Sequence, residues 1–162
     1  MPRLLSTVLL FLLFSLAGSV SARADVDLSA ALVIGNGPKK VIEFTDPDCP
    51  FCRKASAYFH NRHDVTRYVF FVPLPMHPHA RQRAAHVLSG QDKARLYHVV
   101  MGGGVDRRDS ATLPVTAAGK ALLAKQQAVA KKAGVDSTPT FMIMGRIVEG
   151  FDLKKIEELL GN

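Results

Sequence analysis

The chain contains two cysteines, Cys49 and Cys52, with only two residues between them. They lie where an apolar, β-branched run at 41–45 gives way to a segment that can continue as a helix from Pro50 to about His60. A thiol at a helix N-terminus faces unpaired backbone N–H groups and the positive end of the helix dipole, and both favour the thiolate. We therefore expect Cys49 to be a nucleophile. Cys52, one turn inside the helix, is expected to close a disulfide with it.

Two other uses of the cysteine pair stay open at this point. A structural zinc site usually has four ligands and the chain holds no second cysteine pair, so a zinc or copper site would need histidines such as His77 and His79. A structural disulfide in a secreted domain more often joins distant segments than closes so short a ring. The spacing therefore favours redox chemistry, with metal binding second and a structural disulfide third.

Residues 1–24 have the pattern of a secretory signal peptide. Arg3 gives a basic start, 4–16 form an apolar run, and 22–24 form a small-residue cleavage pattern. The run is too short for a membrane anchor, which needs about 20 apolar residues. We expect the mature protein to begin near Asp25, in an oxidising space where neighbouring cysteines can be held as a disulfide. In a Gram-negative bacterium that space is the periplasm.

Composition limits the class of protein. The 138 residues after the leader make one domain of ordinary size, and a chain that is 48% hydrophobic and 22% charged is not a disordered tail. The formal charge of the full chain is +7, and without Arg3 and Arg23 there remain 19 basic and 14 acidic side chains. This excess is too diffuse to indicate a nucleic-acid partner.

The remaining pattern predicts one α/β layer structure in which a helical segment, about 79–115, is inserted between two parts of a sheet. Residues 25–40 form a lead-in, and 41–160 form the domain. The strand–helix–strand unit at 41–72 suggests a right-handed crossover. The last hairpin is predicted to turn at Gly145-Arg146. The predicted helices are 50–60, 80–88, 92–101, 116–133 and 153–160, and the predicted strands are 31–34, 41–45, 66–72, 140–144 and 147–149.

A second motif, Thr138-Pro139, stands between a helix end at Gly134 and the first strand of the hairpin, where a proline is tolerated. Together with the cysteine pair after the first core strand, it resembles the thioredoxin fold, and specifically the catalytic domain of the bacterial periplasmic disulfide isomerases DsbC and DsbG. The resemblance covers residues 39–160 and implies a thioredoxin-like fold with a mixed central sheet flanked by helices. The residues that carry it are 44–52, 134–139 and 148–151.

The resemblance also implies a substrate-binding surface. In this family the proline before the late strand is cis and lies beside the reactive disulfide, so we expect a cis peptide bond at Pro139. Thr138 is then expected to offer backbone hydrogen bonds to an extended substrate segment, with Pro50 and Phe51 beside it. The Pro50-Phe51 dipeptide is similar to that of DsbG and favours a more oxidising pair than that of thioredoxin.

Glu43 is the candidate acid of the site. In thioredoxin and in the oxidase DsbA, a buried acid at the matching position assists proton transfer for the second cysteine, which implies that Glu43 serves Cys52. A carboxyl group buried without partners has a raised pKa, which suits this role. An exposed position on a strand edge stays open as the alternative.

DsbC and DsbG carry an N-terminal dimerisation domain, which the 16 residues 25–40 cannot supply, so we expect a monomer. The prediction is a periplasmic thiol–disulfide oxidoreductase of isomerase or reductase type, without cofactor or metal, that acts on cysteines of secreted proteins. Its redox partner would be a membrane protein similar to DsbD or DsbB. The alternatives are a metal carrier that uses both cysteines with a histidine, and a non-catalytic chaperone that binds extended segments beside Pro139.

Overall fold

One mixed sheet organises the structure, a computed structural model that describes residues 26–161. Along the chain its strands are β1 (Leu32–Ile34), β2 (Lys39–Thr45), β3 (Val65–Phe71), β4 (Thr140–Ile143) and β5 (Arg146–Glu149). Their order across the sheet is β1-β3-β2-β4-β5. The strands β2 and β3 are parallel, and the other neighbouring pairs are antiparallel.

Helices flank this sheet, which confirms the predicted fold class. Within the described residues they are α1 (Pro50–His60), α2 (Ala80–Ser89), α3 (Lys93–Met101), α4 (Ala117–Lys132) and α5 (Leu153–Leu160). Each predicted helix and strand is present, and its bounds differ from the prediction by at most two residues. Local periodicity and end signals were sufficient because each element is an apolar run or has an apolar face, and ends at a polar, proline or glycine boundary.

The unit β2-α1-β3 positions the cysteine pair. Its strands run parallel, from Lys39 opposite Val65 to Thr45 opposite Phe71. This confirms the parallel pairing that the strand–helix–strand pattern predicts. Since α1 follows β2 after the short turn 46–49, its N-terminus lies at the carboxyl end of the central strand, where open α/β sheets place their sites.

The two faces of the sheet carry separate apolar clusters, because successive strand residues point to opposite faces. On one face Val41 packs with Phe59 of α1 and Ile156 of α5. On the other face Phe44 and Phe70 stack with ring centroids 5.3 Å apart, in a cluster that α4 completes. Burial on both faces holds β2 at the centre of the fold and so gives the turn after it a rigid base.

The helices α2 and α3 lie between β3 and α4, inside the segment predicted as an insertion. Ala84 of α2 and both Tyr97 and Val100 of α3 share one buried cluster with Cys49 and Cys52. The helix α2 also packs against α4. The segment between β3 and α4 therefore contributes directly to the burial of the two thiols.

The hairpin between β4 and β5 turns one residue earlier than the sequence predicts. Ile143 is opposite Arg146, so the turn residues are Met144 and Gly145, and the predicted turn at Gly145-Arg146 is wrong. Both turn residues have positive φ, 48° and 75°, as a two-residue type I′ turn requires. Pairing of β4 with β2 continues to Ile143, opposite Val41, and this leaves the methionine in the first turn position.

The predicted leader, residues 1–24, and its cleavage pattern lie outside the described residues. Within residues 26–161, no helix combines the length and the apolar character needed to cross a membrane. The described lead-in begins with Val26 and Leu28, which pack beside Phe44 in the cluster under α4. This part of the chain is therefore integrated into the core.

Candidate active site

The cysteine pair occupies the N-terminus of α1, as predicted. Cys49 is the N-cap residue, and Pro50 takes the first helical position, where its missing N–H leaves no helical hydrogen bond unmade. The Cys49 N–H donates to the Asp46 carbonyl oxygen at 3.2 Å, and the Arg53 N–H donates to the Cys49 carbonyl oxygen at 3.1 Å. Cys49 and Cys52 are free thiols that are 5% and 0% exposed. One sulfur thus lies at the helix tip and the other behind it.

The two thiols differ in acidity. A hydrogen bond from the Cys52 thiol lowers the pKa of Cys49 from 9.0 to about 6; the backbone N–H groups of Cys52 and Phe51 add to the effect, and burial opposes it. Burial raises the pKa of Cys52, and the Cys49 sulfur raises it further. Near neutral pH the pair therefore shares one proton, which stays on Cys52 and leaves Cys49 as a thiolate.

The peptide bond between Thr138 and Pro139 is cis, as the family resemblance implies. The Cys49 Sγ lies 3.5 Å from the Thr138 carbonyl oxygen and donates a hydrogen bond to it when the thiol is protonated. Pro139 is buried, and its carbonyl oxygen accepts a hydrogen bond from the Gly150 N–H at 2.7 Å. The segment before β4 and the tip of α1 therefore meet at the nucleophilic sulfur, although they are far apart in the chain.

Exposed apolar side chains border the cysteine pair. Phe51 is 58% exposed, and the Lys54 ammonium group lies 5.5 Å from its ring centroid. Met76 is 75% exposed, in the loop after β3. That loop is joined to the turn before Cys49 because the Leu74 N–H donates to Asp46 Oδ2 at 2.7 Å. Exposed apolar surface beside a reactive group is typical of a protein-binding site.

Glu43 is fully buried, so the alternative of an exposed strand-edge position is wrong. Its Oε2 lies 2.9 Å from Arg67 Nη1 of β3, and the Tyr97 hydroxyl of α3 donates to its Oε1 at 3.2 Å. Glu43 therefore has two buried partners, one on β3 and one on α3. Val41 pairs with Arg67, and this register puts Arg67 on the same sheet face as Glu43. The role of Glu43 toward Cys52 stays a prediction.

Two acids lie in the turn before the pair, Asp46 and Asp48, and sequence reasoning missed the contacts of both. Asp46 is fully buried. Asp48 Oδ1 accepts a hydrogen bond from Arg83 Nη1 at 2.5 Å, and Arg83 Nη2 lies 3.2 Å from Asp106 Oδ1. Arg53 binds both oxygens of Asp106, at 2.6 and 2.8 Å. These ion pairs join the segment between β3 and α4 to the turn 46–49 and to the start of α1. In the sequence these acids show only the composition of a turn.

The histidines proposed for the metal-carrier alternative do not gather around the sulfurs. His77 Nδ1 lies 2.9 Å from Asp46 Oδ2, without the alignment of a hydrogen bond. The His79 ring contacts the Ser110 hydroxyl at 2.9 Å. Among residues 26–161, no three or more His, Cys, Asp or Glu side chains are grouped so that they could hold a metal ion. The described residues therefore give the metal-carrier alternative no support.

A redox-type cysteine pair at the start of the helix after the central strand, with a cis-proline facing it, defines a thioredoxin-like protein. A family model described as a thioredoxin-like domain matches residues 26–151, and the chain belongs to this family. The chain is also 28% identical over 115 residues to a probable thiol:disulfide interchange protein DsbC from Bordetella avium. That match covers 71% of this chain, which spans only 39% of the length of that relative.

Solved structures with the same fold include two that are similar in length to this chain. A disulfide interchange protein from Neisseria gonorrhoeae is 28% identical with a TM-score of 0.68, and the match covers 83% of this chain and 95% of that one. A thioredoxin-like oxidoreductase from Silicibacter pomeroyi is 25% identical with a TM-score of 0.64, and the match covers 82% of this chain and 91% of that one. Both likenesses extend over nearly the whole described domain.

Proposed function

We propose that the protein is a thiol–disulfide oxidoreductase in which Cys49 attacks and Cys52 resolves. The observation that carries the proposal is the placement of Cys49 as the N-cap of α1 with Cys52 fully buried one turn behind it, an arrangement that lowers the pKa of Cys49 and raises that of Cys52. The Cys49 thiolate attacks a substrate disulfide, forms a mixed disulfide and releases one substrate sulfur. Cys52 then loses its proton and attacks Cys49 Sγ, so the bond to substrate breaks and the Cys49–Cys52 disulfide forms. Two electrons pass to the substrate, whose sulfurs take up the Cys52 proton and one proton from solvent.

The substrate is an extended segment of another protein. The Thr138 carbonyl lies beside the nucleophilic sulfur, so a strand that pairs with the backbone of Thr138 brings its own cysteine next to Cys49. Pro50 and Phe51 form an apolar border on the other side, since Phe51 is more than half exposed. Backbone pairing supplies affinity that does not depend on sequence, and this suits an enzyme that acts on several secreted proteins.

In this mechanism Glu43 accepts the proton that Cys52 gives up, as the resemblance implies. Its complete burial on β2, the strand that leads into the turn before the pair, supports the role. Glu43→Gln keeps the size of the side chain and removes its basicity. The variant is expected to slow resolution while attack by Cys49 is unchanged. A resolution rate equal to that of the wild type would remove Glu43 from the mechanism.

The proposed site of action is outside the cytoplasm, in the periplasm of a Gram-negative cell, where the protein acts as a monomeric isomerase or reductase. The leader pattern in residues 1–24 supports export from the cytoplasm, and the interchange proteins among the relatives support thiol–disulfide chemistry. A membrane donor similar to DsbD would keep the pair reduced, whereas an acceptor similar to DsbB would keep it oxidised. The reduction potential of the Cys49–Cys52 pair tests the direction of electron flow, and sedimentation tests the oligomeric state.

Insulin reduction and recovery of scrambled ribonuclease by the protein starting at Asp25 test the activity itself. We expect activity in the wild type, none in Cys49→Ser, and a trapped mixed disulfide in Cys52→Ser, which serves as the matched control. Equal inertness of the wild type and Cys49→Ser would overturn the proposal. Suppression of aggregation that survives loss of both cysteines would instead indicate the chaperone class.

A further inference from the structure

We propose that Asp46 is a positioning residue for the resolving thiol, a role that rests on the proposed oxidoreductase function and deepens it. Asp46 follows β2 directly and is fully buried. Its backbone contacts both cysteines: its N–H donates to Cys52 Sγ at 3.4 Å, and its carbonyl oxygen accepts from the Cys49 N–H at 3.2 Å. The Asp46 carbonyl oxygen thus binds the backbone at the N-terminus of α1, and the Asp46 N–H binds the Cys52 sulfur.

The Asp46 side chain holds this backbone in place. Its Oδ1 accepts from the Asp48 N–H at 2.7 Å, and its Oδ2 accepts from the Leu74 N–H at 2.7 Å. His77 Nδ1 lies 2.9 Å from the same Oδ2. These neighbours come from the active-site turn and from the loop after β3, and the carboxylate between them has no contact with solvent. Rotation of the Asp46 peptide would leave buried donors unpaired, which is costly.

The hydrogen bond to Cys52 Sγ matters most when that sulfur becomes negative. Burial disfavours the Cys52 thiolate and raises its pKa, and the Asp46 N–H is a group that acts in the opposite direction. A hydrogen bond to a charged acceptor is about twice as strong as one to a neutral acceptor. The N–H already points at the sulfur, so no rearrangement is needed as charge develops. Asp46 should therefore speed resolution by Cys52 and leave attack by Cys49 unchanged.

A small aromatic disulfide, dithiobis-nitrobenzoate, separates these two steps because each releases one coloured thiolate. The first release reports attack by Cys49, and the second reports resolution by Cys52. Asp46→Ala keeps the backbone N–H but removes the carboxylate contacts that hold it in line with Cys52 Sγ. We expect the first phase to stay within about twofold of the wild type and the second to slow about tenfold, the effect of one misaligned hydrogen bond to a developing charge. A second phase as fast as that of the wild type, or faster, overturns the proposal.

Asp48→Ala is the matched control. Asp48 lies in the same turn and binds Arg83 and the His79 N–H, but none of its contacts reaches a sulfur. The alanine variant also keeps the backbone N–H that donates to Asp46 Oδ1. We expect both phases of Asp48→Ala within about threefold of the wild type, because the donor to Cys52 stays in place. Slowing of the second phase equal to that in Asp46→Ala would show general loosening of the turn and would refute the specific role.

Failure of this inference is distinguishable from failure of the proposed function. A wild type that releases no coloured thiolate contradicts the function and the role of Asp46 together. A wild type that releases two, with an unaltered second phase in Asp46→Ala, contradicts the role of Asp46 alone. Asp46→Asn carries the same test if the alanine variant does not fold by circular dichroism. It can still accept from Asp48 N–H but presents an amide to Leu74 N–H, and we expect its second phase to slow about threefold.

Discussion

The Cys52 thiol donates the hydrogen bond that lowers the pKa of Cys49 most. Cys52→Ala removes this donor, so the pKa of Cys49 should rise from about 6 toward its ordinary value of 9.0. The rate of iodoacetamide alkylation against pH measures the change. Cys52→Ser, whose hydroxyl can still donate, is the control and should shift the midpoint less. A midpoint that stays near 6 in Cys52→Ala would assign the acidity to the backbone N–H groups instead.

At the same scale, Glu43 and Arg67 form a buried ion pair, with 0% and 3% of their side chains exposed. Glu43→Gln leaves the guanidinium group without a counter-charge, and the free energy of unfolding should fall by about 3–5 kcal/mol. Urea unfolding measures this. The control is Lys39→Gln, which breaks a more exposed pair with Asp64 and should cost less than about 1 kcal/mol. An equal loss of unfolding free energy in the two variants would contradict the larger contribution of the buried pair.

Among the elements, the β4–β5 hairpin carries avoidable strain at Met144. This residue has φ of 48° and is 83% exposed, so its side chain contributes little packing. Asparagine adopts this conformation more readily, and Met144→Asn should raise the free energy of unfolding by about 0.5–1 kcal/mol. Met76→Asn changes a methionine that is 75% exposed and has no positive φ, and should stay within about 0.5 kcal/mol of the wild type. Destabilisation by Met144→Asn would refute the argument.

The attachment of α2 to the active-site turn depends on Arg83, whose side chain is 8% exposed and binds Asp48 and Asp106. Arg83→Ala leaves Asp48 partly buried without its counter-charge and should cost about 3 kcal/mol. Amide hydrogen exchange should accelerate in α2 and in residues 102–109 more than in α5. Arg81→Ala, on the exposed side of the same helix, should stay within about 0.5 kcal/mol of the wild type. Uniform acceleration across all helices would contradict local attachment.

For the whole molecule, the two thiols make the stability of the reduced protein depend on pH. Cys49 has a folded pKa of about 6 against an ordinary 9.0, so its contribution is complete above pH 9 and is lost as pH falls toward 6. The pKa of Cys52 is raised, so its contribution is present below pH 9 and declines above it. The difference in unfolding free energy between the reduced wild type and Cys49→Ser should therefore grow from pH 6 to 9. Urea titrations under reductant measure it, and a flat difference would contradict the acidity of Cys49.

The sequence predicted the elements well and the surroundings of the site poorly. Helix α1 begins at Pro50 as expected, since capping and proline preferences are local. The turn at Met144 was misplaced because a methionine carries no signal for positive φ. The ion pair of Glu43 with Arg67 depends on the register of two strands, and the contact of Glu43 with Tyr97 depends on where α3 packs. Neither is visible in a linear pattern.

The sequence by itself determined the order of elements, the placement of Cys49 at a helix tip and of Cys52 one turn behind it, and the class of fold. These follow from hydrophobic period, caps and spacing, which act over a few residues. The family resemblance already implied Thr138 and Pro139 beside the pair. The tertiary structure alone decided the other groups around the sulfurs: the Asp46 N–H at Cys52, and the cluster of α2 and α3 that buries both. Burial and hydrogen bonding between distant segments set the acidity of the two thiols, and only the packed molecule brings those segments together.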